Sequence, residues 1–69
     1  MITYRPLWDT MKHKNISTYK LIQQGFSRFQ IHRLKHDEPI TTVTLDRLCT
    51  LLDCTPVDIL EYTPDADKT

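Results

Sequence analysis

Apolar residues recur at helical spacing in four stretches of this 69-residue chain, and strict alternation is scarce. Leu45, Leu48, Cys49 and Leu52 fall at i, i+3, i+4 and i+7. That amphipathic stripe predicts a helix over 44–53. Leu7, Trp8 and Met11 form a narrower stripe behind Pro6 and predict a helix over 6–14. Proline suits the first helical position because its missing N–H would be unpaired there anyway. A second helix starts at Ser17, a good N-cap, and carries Tyr19, Leu21 and Ile22. It stops at Gly25, the residue best able to take a positive φ. Trp8, Met11 and Tyr19 read as core.

The third helix has the clearest start. Ser27-Arg28-Phe29-Gln30 is a capping box: the serine oxygen accepts from the Gln30 N–H and the glutamine reaches back. Ile31 and Leu34 then face inward, leaving Arg28, Gln30, His32, Arg33 and Lys35 outward. Thr55 caps a last short helix, with Pro56 at its first position, Asp58 near its positive end, and Val57 and Leu60 toward the core. Ile2-Thr3-Tyr4 and Glu61-Tyr62-Thr63 are extended candidates that could pair as a small terminal β-ribbon, within one chain or between two. Ile40-Thr41-Thr42-Val43-Thr44 is too short to build a sheet. The expected class is all-α, with five short helices.

At this length the chain reads as one domain, 1–69, with an ordered core over about 5–62 and a polar tail over 63–69. Such a domain buries only about 60% of its unfolded surface, so its core is small. No apolar run approaches the roughly 20 residues that span a bilayer. The N-terminus lacks a charged-then-apolar signal pattern, which points to the cytoplasm. Cys49 lies on an apolar stripe and reads as a buried, reduced thiol. Its separation from Cys54 along one helix argues against a disulfide, because the side chains would point apart.

Charge changes the picture most. The formal net charge is +0, yet residues 1–36 sum to +6 and residues 37–69 to −6. Arg5, Lys12, Lys14, Lys20, Arg28, Arg33 and Lys35 face a single Asp9 in the first part, which also holds His13, His32 and His36. A molecule with one basic and one acidic side orients itself on a polyanion.

A short helix, a glycine turn and a capped helix make a helix-turn-helix. The major groove, about 12 Å wide, admits one α-helix. Such a helix needs a single apolar stripe, base-pairing side chains near its N-terminal end and flanking cations. The third helix meets all three conditions.

Ile16-Ser17, Leu21-Ile22, Gly25-Phe26-Ser27, Ile31 and Leu34 together resemble the helix-turn-helix of the Cro-like, phage-repressor-like (Xre) family of bacterial regulators. The resemblance continues through 44–49 and 54–60 and covers about 5–62. It implies a lambda-repressor-like five-helix domain that binds double-stranded DNA as a homodimer on a palindromic operator and regulates transcription. Two departures stand out. Leu21 or Ile22 occupies the place of the family's small alanine before the turn, and Thr18 replaces a glutamine at the start of the second helix.

Carried over by position, Arg28, Phe29, Gln30, His32 and Arg33 are candidate base-contacting residues. Gln30 suits adenine, Arg28 suits guanine or a phosphate, and Phe29 suits a thymine methyl. Thr18, Lys20, Lys35 and His36 are candidate phosphate contacts. The same scaffold could instead serve as a protein-interaction module, such as an antitoxin, antirepressor or anchoring domain, without DNA.

No cofactor or metal is expected. His32 and His36 are spaced i, i+4 with Cys49 and Cys54 downstream, but the cysteine spacing does not match a zinc knuckle. No Gly-rich phosphate loop or supported catalytic triad is present, so an enzyme is not expected.

Overall fold

The computed structural model describes residues 1–64. Strand β1 is Ile2–Thr3. Helices α1 (Arg5–His13), α2 (Thr18–Gln23), α3 (Arg28–Lys35) and α4 (Thr42–Leu52) follow, then a 3-10 turn at Pro56–Asp58 and strand β2 at Glu61–Tyr62. The expected fifth helix is thus a single tight turn, so four α-helices stand where five were expected; the class holds. Its Asp58 carboxylate accepts from the Thr55 N–H at 3.3 Å and the Thr55 hydroxyl at 3.4 Å. That box opens the turn, which closes with the Ile59 N–H donating to Pro56 O at 2.9 Å.

The other boundaries move for local reasons. α4 begins at Thr42, two residues earlier than its apolar stripe suggests, because Thr41 is the cap: its Oγ1 accepts from the Thr44 N–H at 3.2 Å. Val43 is consequently an exposed first-turn residue, and Thr44 is buried. Ser17 and Ser27 cap α2 and α3 as expected. In the α3 box, Gln30 N donates to Ser27 Oγ at 3.1 Å and Ser27 N donates to Gln30 Oε1 at 2.9 Å.

All four helices stop in one way. Asn15, Gly25, Asp37 and Asp53 each take a positive φ. The next N–H then reaches back to a carbonyl five residues earlier: Ile16 to Met11 at 2.9 Å, Phe26 to Leu21 at 3.0 Å, Glu38 to Arg33 at 2.9 Å and Cys54 to Cys49 at 3.0 Å. This is the Schellman closure, which satisfies otherwise unpaired carbonyls and brings the two end residues together. Asparagine and aspartate tolerate the left-handed region near φ 55°, whereas the 103° of Gly25 suits glycine alone.

Leu7, Met11, Leu21, Phe26, Ile31, Leu34, Leu48, Leu52 and Ile59 meet in one core with Tyr4. The terminal ribbon forms within the chain, antiparallel, pairing Ile2 with Tyr62 and Thr3 with Glu61. Thr63 N extends it by donating to Met1 O at 2.8 Å. The rest of the expected tail, residues 65–69, lies outside the described residues. α1 is fixed to the 3-10 turn by Leu7 N to Ile59 O at 3.1 Å and Thr10 Oγ1 to Asp58 O at 2.8 Å.

Four inward assignments change. Tyr19 is 67% exposed, because α2 spans six residues and Leu21 is the one residue it buries. Val57 is 77% exposed, because the 3-10 turn points Ile59 into the core instead. Cys49 is half-buried rather than fully enclosed, and Trp8 packs on the edge of the core.

Candidate nucleic-acid interface

The inward stripe of α3 is Ile31 and Leu34, both buried. The outward arc is left to the polar residues, and they divide into two flanks. On one side Arg28, His32 and Lys35 sit at i, i+4 and i+7 and line an open groove of about 460 Å³ against Thr18, Tyr19 and Ile22 of α2. On the other side Phe29, Gln30 and Arg33 line a groove of about 440 Å³ against Pro39, Ile40, Thr41 and Thr44. The first groove brings together Arg28, His32, Lys35 and Thr18 of the sequence-assigned contacts. Its lining contains no carboxylate.

The remaining assigned residues differ in how free they are. Phe29 is 64% exposed, with the Arg33 guanidinium Cζ 4.9 Å from its ring centroid. Arg33 also donates to Pro39 O at 3.1 Å, so its head is braced against the loop after α3. The Gln30 Oε1 is engaged by the capping box, which leaves its two amide hydrogens for a ligand. His36 is the C-terminal cap residue of α3, and its ring lies 4.2 Å from that of His32, tilted by 41°. Lys20 is exposed on α2 and lines neither groove.

Helix electrostatics favour an anion at this face. Neither α2 nor α3 carries an acidic residue in its first turn, and Lys20 and Arg28 stand there instead. A cation beside the positive end of a helix is unfavourable alone and is offset by a bound anion.

The other cations are not all on this side. Arg5 Nε lies 3.8 Å from Glu61 Oε2. His13 and Lys14 line a groove with Asp9, Asp53, Asp58 and Glu61. The charge sorting by sequence half therefore survives in space at α2 and α3, while α1 abuts the acidic end of the chain.

Tyr19 was missed as a site residue. Its position among apolar neighbours suggested core; its place on the groove wall follows from the shortness of α2. Arg47 was missed as well. Its Nη2 donates to Gln24 O at 3.3 Å, and its Cζ lies 4.4 Å from the Phe26 centroid, so it fixes the turn between α2 and α3.

Two short capped helices joined by a glycine turn, the second exposing a carboxylate-free basic flank, define a helix-turn-helix DNA-binding domain. The chain belongs to the Cro/C1-type HTH DNA-binding domain family, whose model matches residues 6–65. Its fold is similar to a crystal structure of the transcriptional regulator VanUg (form II). The TM-score is 0.84 at 25% identity, covering 93% of this chain and 87% of that one. No curated protein sequence matches the chain. Among the described residues, no helix is long and apolar enough to cross a membrane.

Proposed function

We propose that this protein is a cytoplasmic, sequence-specific regulator of transcription, a single domain over 1–69 that binds double-stranded DNA as a homodimer and catalyses nothing. α3 enters the major groove. Arg28, Phe29, Gln30, His32 and Arg33 face base edges, and Thr18, Lys20, Lys35 and His36 take phosphates. The observation that carries this reading is the groove shared by Thr18, Arg28, His32 and Lys35, which is basic, open and free of carboxylates. The family supplies the DNA, and the similarity to VanUg supports a role in transcription.

In a twofold dimer, two copies of α3 would sit in successive major grooves about 34 Å apart. Selection from a random duplex library tests specificity and symmetry together. The expected outcome is enrichment of an inverted repeat with half-sites one helical turn apart. A pool that stays random after repeated rounds would overturn the reading. Binding should also weaken steeply with salt, with a log–log slope of about −0.9 for each phosphate contacted.

A further inference from the structure

We propose that Cys49 and Cys54 form an oxidative modification site, in which a low-molecular-weight disulfide converts the two thiols into an intramolecular disulfide across the end of α4. The sequence separation would point these side chains apart on a continuous helix. The helix is not continuous: it ends at Leu52, and Asp53 reverses the chain at φ 52°. Cys49 and Cys54 thereby occupy the two positions that a Schellman closure brings together. Met11 with Ile16 and Leu21 with Phe26 fill the same positions at the ends of α1 and α2, and all four belong to the core or pack against it.

The backbone geometry sets a limit. With Cys54 N 3.0 Å from Cys49 O, standard bond lengths keep the two Cα atoms within about 6.9 Å. Disulfides use Cα separations up to about 7 Å. The side chains are near neighbours as well: Cys49 contributes to the upward push on the Cys54 thiol. Both cysteines are free and half-buried. Cys54 also lines an open groove of about 470 Å³, which gives an oxidant access. Among the described residues, no group of three or more His, Cys, Asp or Glu is arranged to hold a metal ion.

The chemistry balances as two exchanges. The Cys54 thiolate attacks one sulfur of the small disulfide, forming a mixed disulfide and expelling one thiolate, which takes a proton from water. The Cys49 thiolate then attacks Cys54 Sγ and expels the second small thiolate. Two protein thiols are oxidised, and one disulfide is reduced to two thiols. Burial, Cys49 and Asp58 push the Cys54 thiol up, against a smaller opposing effect from Lys14. His13, Asp9, Asp53 and Glu61 share its groove. The first exchange accordingly quickens as pH rises. The site shares no lining residue with the α2–α3 groove, so it stands independently of the DNA reading.

The test treats the native full-length chain with oxidised glutathione and measures intact mass. Both cysteines fall in the tryptic peptide 48–68. That peptide should lose two hydrogen masses while the chain stays free of interchain links. The melting temperature should rise by roughly 5–10 °C and return on addition of dithiothreitol. Cys49→Ser and Cys54→Ser should each retain a glutathione adduct on the remaining thiol. A persistent adduct on the unmutated chain, covalent dimers, or an unreacted chain at pH 8.5 would overturn the proposal.

Discussion

The Arg47 guanidinium of α4 lies over the ring of Phe26, its Cζ 4.4 Å from the centroid, and closes the turn that separates α2 from α3. Its Nη2 also donates to Gln24 O at 3.3 Å. The turn glycine sits beneath it: a Cβ on Gly25 would lie 3.0 Å from that nitrogen. The angle at which α3 leaves α2 is thus held by a side chain of α4. Gly25→Ala should cost about 1–2 kcal/mol, most of it from the positive φ. Chemical denaturation measures it. In the Arg47→Ala background the cost should fall only slightly, because the arginine head is flexible and the strained backbone remains. A fully rescued double variant would show that crowding, not φ, fixes the glycine.

Tyr4 ties the N-terminus to the corner after α3. Its backbone N–H donates to Asp37 Oδ1 at 3.0 Å, and its hydroxyl donates to Glu38 O at 2.7 Å. Tyr4→Phe keeps the packing and removes the second bond, so stability should drop by about 1 kcal/mol. Burial, reinforced by the Asp37 carboxylate and opposed by the Ile40 backbone, raises the Tyr4 hydroxyl above its ordinary 10.0. The unfolded chain therefore loses this proton first as pH rises. The stabilisation is complete below pH 10.0 and declines as pH climbs through the folded-state value. Denaturation at pH 9 and pH 11 should show a smaller drop in Tyr4→Phe than in the parent, and equal drops would refute the assignment.

The features legible in the sequence were those with a local cause. The Ser27–Gln30 box, the Ser17 cap and the Gly25 stop each depend on residues within one turn of each other. The positive φ at three of the four helix ends was not legible, because Asn15, Asp37 and Asp53 look like ordinary polar loop residues. The helix end was expected at 53, but the reversal of the chain at Asp53 was not, and that hid the approach of Cys54 to Cys49. Tyr19 and Val57 were misplaced for a related reason. Apolar spacing identifies a stripe, but in six- and three-residue elements the core has room for only one or none of the candidates. The grouping of Thr18 with Arg28, His32 and Lys35 depends on how α2 packs against α3, which no spacing within either helix encodes.

Base reading and phosphate binding separate by substitution. Lys35→Ala should weaken binding to an operator and to random duplex by the same factor, because a phosphate contact carries no sequence information. Gln30→Ala should lower the operator affinity about tenfold and leave random duplex nearly unchanged. The Gln30 change also opens half of the capping box, so its stability cost of about 0.5–1 kcal/mol must be measured alongside and binding compared well below the melting temperature. Equal effects of both substitutions on both duplexes would reverse the assigned roles.

Tyr19 offers a prediction on which burial and function disagree in sign. A core tyrosine truncated to alanine costs several kcal/mol, on the order of 3–5 for large aromatics. At 67% exposure, Tyr19→Ala should instead stay within about 0.5 kcal/mol of the parent. The same ring lines the groove with Arg28, His32 and Lys35, where on the proposed DNA reading its hydroxyl would donate to a phosphate oxygen. Tyr19→Ala should then reduce affinity for all duplexes several-fold at unchanged stability, and Tyr19→Phe should reproduce most of that loss. Wild-type affinity in Tyr19→Ala would move the phosphate path away from α2 and leave α3 alone at the groove.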